Sequence, residues 1–458
     1  MGSAPERTDA TNAVLSAIAD AARFPRPVWR SERAYVLATI AGVVGLGNIW
    51  RFPYMAGRHG GGSFVLAYVV CVVLVAVPLA SLESAAGSLV RRSPVGAFRR
   101  AAGRPGAAIG WAVVGMTGAI LSYYLVVTGW TLGYLLDSLR GDLESFEAFT
   151  RGYASVWLLV AVGALVLAVL VRGVGTIERA GLVVVPLLVA IVAGLAVYGQ
   201  TLDGAAESRA FYLGLSGEHL FDAATWRAAA GQAFYSVGVG QGVLIAYGSF
   251  VPAGTNLIRS TAAVAVTNSL VSIIAGLMVF GVVFTFGISP STGSQLSFTA
   301  FPRVFGQVPG GAVLAVGFFA LLLLAGFTSC LGASIVVMST VRDELRLRAR
   351  TATALTVAAV VVLGIPSALS FSGAGLTVAG EPFLDRVDQL TGSGAIVVLG
   401  VVGSAVLALS LPRRALAAAF GSRAEVRVGP VRLGARSVIG WTIVLSGAAA
   451  VMLAASML

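Results

Sequence analysis

The residues with the most chemistry to offer stand where a membrane span ought to be inert. Residues 41–53 read Ala-Gly-Val-Val-Gly-Leu-Gly-Asn-Ile-Trp-Arg-Phe-Pro within a segment long and apolar enough to cross a bilayer. Gly42, Gly45 and Gly47 weaken the helix there. Asn48 supplies an amide and Arg51 a guanidinium at once after them. Irregular backbone at membrane depth survives only where it lines a cavity and its polar groups find partners. An ionisable side chain inside a span points to function. The stretch therefore predicts a binding site whose ligands are helix ends and freed carbonyls. A second stretch repeats the pattern: Phe234-Tyr235-Ser236-Val237-Gly238-Val239-Gly240-Gln241-Gly242 puts three glycines into five positions. No metal cluster, nucleophile–base set or phosphate loop stands out in the sequence. An intramembrane enzyme lacks candidate residues, and the reading is not an enzyme.

The elements that must hold these groups are membrane helices. The chain is 57% hydrophobic and 11% charged, with mean hydropathy +0.90, far from a soluble average. Apolar runs place spans near 34–58, 62–89, 107–136, 154–171, 181–199, 226–250, 260–287, 310–340, 352–371, 390–411 and 437–456, eleven in all. All 31 basic residues are arginine. With the N-terminus inside, 23 of those 31 fall in inner segments, while Asp137, Asp142, Glu144, Glu147, Asp203, Glu207 and Asp385 fall outside. The positive-inside rule then gives a cytoplasmic N-terminus and an outer C-terminus. A basic face on a soluble domain, as nucleic-acid binding would need, is missing. Cys71 and Cys330 both sit in apolar spans and indicate no disulfide framework. His59 and His219 fall in outer regions and read as solvated. Phe298–Phe305, too short to span, reads as a helical plug over the outer vestibule.

Paired glycine-broken spans, first and sixth, point to an inverted repeat. Residues 1–30 form a cytoplasmic segment. Residues 31–412 form the core, with repeats over 31–200 and 222–412. Residues 413–458 form an inner loop and an accessory helix. GLGNIWRFPYMAGRHGGGSF (Gly45 to Phe64) resembles the first-helix signature of the neurotransmitter:sodium symporters, and Ala325 to Ser329 (AGFTS) resembles their eighth-span motif. The resemblance covers residues 26–411. It implies an all-α polytopic fold of eleven helices, a five-plus-five inverted repeat with helices 1 and 6 broken.

The resemblance also implies ligands. One Na+ site would use Val43, Asn48, Ser236 and Asn268, completed by a substrate carboxylate. A second would use Ala41, Val44, Ala325, Thr328 and Ser329. The substrate would meet Val43, the N–H groups of Leu46 and Gly47, Ile120, the Tyr124 hydroxyl, Tyr235, Ser236, Gly238, Gln241, Ser329 and Ala333. Amine transporters of the family carry an aspartate where this chain has Gly45, so its substrate should bring its own carboxylate. Gly238, Gln241 and Ala333 replace a serine, a phenylalanine and an isoleucine of leucine-transporting members, which makes the side-chain subsite more polar. Tyr68, Gln232, Ser236, Asn268 and Ser272 match the chloride contacts of chloride-dependent members. Ser272 stands where chloride-independent bacterial members carry a glutamate. Glu83 is a rival source of negative charge, though the family sets that residue against the broken sixth span. Arg51 and Asp388 match the outer gate, with Tyr124 and Tyr235 as its lid. Arg26 and Asp343, near Trp29, match the inner pair, and Phe250 replaces a tyrosine there. The reading is a Na+-coupled, chloride-dependent importer of a small neutral or polar amino acid, in the plasma membrane, working by alternating access. A β- or γ-amino acid or taurine-like substrate, or a ligand-binding regulator that does not transport, stays open beside it.

Overall fold

Two interruptions set the architecture. The computed structural model describes residues 28–291, 296–307, 310–421, 425–428 and 431–456. In it the first span is a helix over Glu32–Val43 that stops and resumes at Gly47–Arg58, bent by 53°. Val44 leaves helical geometry at ψ 108°. The restart is a wide π-type turn over Gly47–Arg51, followed by Phe52–Arg58. The sixth span runs over Ala223–Val237, unwinds, and resumes as Val243–Gly248. Gly238, Gly240 and Gly242 all hold positive φ, at 82°, 79° and 72°. Such angles are cheap for glycine and costly for other residues. Gly240 has a further reason: a Cβ there would sit 2.7 Å from the Ile396 carbonyl oxygen and 2.8 Å from Gly400 Cα, so the tenth span could not close in.

The freed polar groups are accounted for locally. The Gly240 N–H donates to Glu83 Oε1 at 2.9 Å, as the resemblance implied for Glu83. The Gln241 carbonyl accepts from Thr117 at 2.8 Å, and the Tyr235 carbonyl from Gln241 Nε2 at 3.0 Å. In the first span, Gly45 N–H donates to Asn48 Oδ1 at 2.9 Å and Gln232 Nε2 donates to the Gly47 carbonyl at 2.8 Å. Without these partners each peptide group would cost several kcal/mol in hydrocarbon.

Among the described residues, seven helices are long and apolar enough to cross a membrane, and the bent first pair makes an eighth. The seven are Gly62–Val90, Pro94–Arg140, Gly181–Gly199, Leu257–Thr285, Gly311–Leu345, Ala349–Ala368 and Phe383–Ser410. Ala154–Leu170, the broken sixth span and Ala435–Ser456 take the remaining expected places, an arrangement compatible with eleven spans. The third span is extended at its N-terminal end by a helix that begins at Pro94 and turns at Ala102 and Gly103. Wide turns recur at Val72–Ala76 and Gln389–Ala395. The first of these exposes the Leu74 carbonyl, which accepts from Trp441 of the last helix at 2.5 Å.

Some expectations need correction. The tenth helix begins at Phe383 rather than near 390, because Asp385, Arg386 and Asp388 interrupt its hydropathy without breaking its backbone. Two small hairpins, Thr377–Val378 with Glu381–Pro382 and Glu425–Val428 with Val431–Gly434, carry too little pattern to be read from sequence. His59 and His219 are half-buried rather than solvated. The loop after the fifth span folds over the Gly60–Gly62 turn, with Ser216 N–H donating to Ser63 Oγ at 2.8 Å. His59 consequently stacks on Phe64. Its imidazolium is held below the usual histidine range by burial, against the pull of Asp222. The outer plug is helical as expected, over Leu296–Phe305, with Phe301 stacked 4.2 Å from Phe318.

Gly240→Ala should lower the thermal unfolding midpoint in detergent well below that of Gly254→Ala. Gly254 shares the positive φ (82°) but has open space around its Cβ position, so it bears only the left-handed cost of about 1–2 kcal/mol. Equal shifts would show that the tenth span does not depend on the bare backbone at 240.

Candidate substrate and ion site

Between the two breaks lies a cavity of about 40 Å³. Val43 and Gly47 of the first span, Ile120 and Tyr124 of the third, Tyr235, Gly238 and Gln241 of the sixth, and Ser329 and Ala333 of the eighth line it, all as expected. Gly42, Leu121 and Val243 join them. The Leu46 and Ser236 side chains do not line it, though the Leu46 backbone N–H, the group expected to act, adjoins the Tyr124 hydroxyl. The Leu46 side chain points toward Gly326, and the Ser236 hydroxyl meets Tyr68. Gly45 is pressed by two hydroxyls: a Cβ there would stand 2.1 Å from Ser329 Oγ and 2.4 Å from the Tyr124 oxygen. No larger residue fits at 45 without moving both. Ser329 Oγ and the Tyr124 hydroxyl stand together against the Gly45 backbone, so polar atoms are held at the cavity wall.

Beside this cavity a set of fully buried amides and hydroxyls converges. Asn48 Nδ2 donates to Asn268 Oδ1 at 2.9 Å, to the Asn268 carbonyl at 3.1 Å and to Ser272 Oγ at 2.7 Å. The Tyr68 hydroxyl is 3.0 Å from Ser236 Oγ and 3.2 Å from Ser269 Oγ. The set is rich in oxygen and contains no carboxylate, which suits a hard cation and leaves its charge to be balanced from elsewhere. Gln232 is the exception among the expected chloride contacts. Its oxygen takes Arg51 Nη1 at 2.5 Å and its amide serves the Gly47 carbonyl, so it bridges Arg51 and the first-span break here. Ser269 was not anticipated; a serine beside an expected asparagine carries no distinguishing signal.

The second expected ion set divides. Ala41, Val44 and Thr328 share a crevice with Val185 and Leu188 of the fifth span. Thr328 Oγ1 donates to the Leu324 carbonyl at 2.9 Å and the Ala325 carbonyl at 3.2 Å. The first is the i−4 bond any membrane threonine can make. Ser329 instead faces the substrate cavity. The backbones of spans 1 and 8 approach closely, a Cβ at Gly332 lying 3.0 Å from the Gly42 carbonyl oxygen.

Layers of side chains close both approaches. On the side expected to face outward Arg51 is 1% exposed, with its guanidinium 4.8 Å above the Tyr235 ring. Its Nε lies 3.8 Å from Asp388 Oδ2, and Nη2 donates to Ser393 Oγ at 2.6 Å. The Tyr123 hydroxyl donates to Asp388 Oδ1 at 2.7 Å and lies 3.1 Å from the Tyr235 hydroxyl. The Tyr235 hydroxyl thus meets Tyr123, while Tyr235 and Tyr124 both line the cavity, where the expected lid pair would stand. Tyr123 and Tyr124 are adjacent on a helix, about 100° apart, and sequence does not say which of them faces Asp388. On the opposite side Trp29 is buried against Tyr247 and Phe250 and donates from Nε1 to the Tyr247 carbonyl at 3.2 Å. Arg26 lies outside the described residues. Asp343 accepts from the Ser93 N–H at 2.9 Å.

A model of the Sodium:neurotransmitter symporter family matches residues 26–149 and 150–411. The chain belongs to that family. An uncharacterized sodium-dependent transporter of Haemophilus influenzae is 30% identical over 411 residues, 83% of this chain and 88% of the relative. One from Bacillus subtilis is 32% identical over 397 residues, 81% of this chain and 87% of the relative. The crystal structure of MhsT in complex with L-phenylalanine superposes with TM-score 0.84 at 28% identity, over 94% of this chain and 100% of MhsT. Family, broken-helix fold and multi-pass membrane character are therefore established together. Within that fold, Tyr123, Ser269 and Ser393 are what sequence reading missed.

Tyr124→Phe and Tyr123→Phe should separate. Loss of one hydrogen bond to a charged group costs about 1.5–3 kcal/mol, so Tyr124→Phe should weaken substrate binding roughly ten- to a hundredfold. Tyr123→Phe removes a gate contact and should slow transport while leaving equilibrium binding within about threefold. Equal losses of affinity in a radioligand binding assay would contradict the division of labour between these tyrosines.

Proposed function

We propose that this family member imports a small neutral or polar α-amino acid by coupling it to Na+ entry, with chloride as the compensating anion. The observation that carries the substrate class is the crowding at Gly45. Two hydroxyls stand where an aspartate side chain would have to go, so charge for a substrate amine is lacking there and a substrate carboxylate has hydroxyl donors to meet. The cavity of about 40 Å³ holds about three waters, which suits a compact solute. Gln241, Gly238 and Ala333 make its far wall short and partly polar. L-phenylalanine occupies the MhsT structure; the polar wall here favours a smaller side chain.

Each residue then has a task. Asn48 and Asn268 hold the first Na+ beside the substrate carboxylate, which links ion and solute affinity. Ala41, Val44, Ala325 and Thr328 hold the second, with Ser329 reaching from the cavity side. Arg51 and Asp388 close the outer path after loading, and Trp29 with Asp343 and Arg26 guard the inner path. The arginine bias places the N-terminus in the cytoplasm and the C-terminus outside.

The chloride reading rests on charge. Two Na+ and a zwitterion leave uncompensated positive charge in low dielectric, a cost of several kcal/mol without a nearby anion. Tyr68, Ser236, Asn268 and Ser272, with Ser269 adjoining, supply donors and no carboxylate.

Uptake into proteoliposomes under an imposed Na+ gradient, run over a panel of α-, β- and γ-amino acids and taurine, tests substrate and transport together. Accumulation of a small α-amino acid is expected. Specific binding without uptake of any compound would favour a regulator. Replacing Cl− by gluconate should depress wild-type uptake, and Ser272→Glu should make uptake indifferent to Cl−. Wild-type uptake that is unchanged in gluconate would refute the chloride site and turn attention to Glu83.

A further inference from the structure

Arg51 has more partners than a gate pair requires, and one of them is placed by an unusual turn. Asp388 closes the short helix Phe383–Asp388, and the next seven residues, Gln389–Ala395, form a π-type turn. In an α-helix five residues turn through about 500°, which would leave residue 393 about 140° around the axis from residue 388. In a wide turn closed by i→i+5 bonds, five residues make little more than one revolution. The turn therefore brings Ser393 back to the face that carries Asp388. Both then reach the same guanidinium, Asp388 Oδ2 at 3.8 Å from Nε and Ser393 Oγ at 2.6 Å from Nη2. Gly392 inside the turn admits this fit: a Cβ there would stand 2.5 Å from Asp388 Oδ1 and 3.0 Å from the Tyr235 ring. Arg51 itself ends another π-type turn, Gly47–Arg51. Two wide turns, one from each broken or bulged span, thus face each other across the gate.

We infer that Ser393 is a positioning residue of the outer gate, with the Gln389–Ala395 turn as the device that delivers it. The proposal rests on the reading of Arg51 and Asp388 as that gate. Ser393 is exposed while Arg51 is buried, so the hydroxyl covers the outer edge of the guanidinium and fixes its rotation. Asp388 meets Nε, an off-axis contact that alone leaves the fork free to swing. With Nη1 on Gln232 and Nη2 on Ser393, the fork is held at both tips. Ser393 is not among the residues that line the cavity, and its hydroxyl acts through Arg51.

The test reads closure directly. In full-length protein carrying Cys71→Ala and Cys330→Ala, Leu121→Cys places a reporter on the cavity below the gate. Its labelling by a membrane-impermeant thiol reagent is followed in spheroplasts in Na+. Ser393→Ala should raise the labelling rate roughly three- to tenfold, the range for losing one exposed charge-assisted hydrogen bond that water partly replaces. Ser393→Thr, which keeps the hydroxyl, should label within about twofold of the parent, a rescue that a purely structural role would not give. Asp388→Ala should raise labelling at least as much as Ser393→Ala. If Asp388→Ala raises labelling and Ser393→Ala does not, or if threonine fails to rescue, the Ser393 proposal falls and the gate stands. If neither substitution raises labelling, the gate reading itself fails and takes the proposal with it.

Discussion

A peptide group taken out of a helix inside a bilayer must find a partner, and the rest of this molecule is arranged around that demand. The first and sixth spans each give up regular hydrogen bonding at mid-length. Their freed groups are met by Asn48, Gln232, Thr117, Gln241 and Glu83, each from a defined place. Those partners fix where spans 2, 3 and 6 must stand. In the proposed function, the carbonyls left over are the oxygen ligands that a desolvated Na+ requires. Binding and folding are thus the same accounting problem. A backbone broken to bind ions is stable only inside a bundle that satisfies what the ions do not.

Burial of Arg51 follows the same logic at the level of charge. An isolated guanidinium at 1% exposure would be prohibitive. Here a carboxylate, an amide oxygen, a hydroxyl and an aromatic face surround it. Gln232 ties this cluster to the Gly47 carbonyl in the first-span break. The unwound backbone is therefore joined to Arg51 through the two ends of one amide.

Much of this was legible in the sequence because glycine marks broken helices. Gly42, Gly45 and Gly47, with Gly238, Gly240 and Gly242, located both breaks. Asn48, Asn268, Ser272, Arg51 and Asp388 were placed from motif context, and the structure brings the first three together and the last two within 3.8 Å. What escaped was angular. Wide turns at 47–51, 72–76 and 389–395 rotate later residues by an amount hydropathy does not register, so Ser393 could not be assigned to the gate. The choice between Tyr123 and Tyr124 is likewise a matter of 100° on one helix. His59 and His219 were misjudged because their burial comes from a loop folding over the Gly60–Gly62 turn, a contact with no local pattern.

The central claim is that ion and substrate share one site through a common carboxylate. Equilibrium binding of radiolabelled Na+ to purified protein, measured with and without a saturating transported amino acid, tests it most directly. Linkage requires that the solute raise Na+ affinity by the same factor by which Na+ raises solute affinity. The account predicts an increase of roughly tenfold or more, the effect of about 1.4 kcal/mol of coupling, reduced toward unity by Asn48→Ala. Na+ binding that is indifferent to the amino acid in the wild type would contradict the shared site.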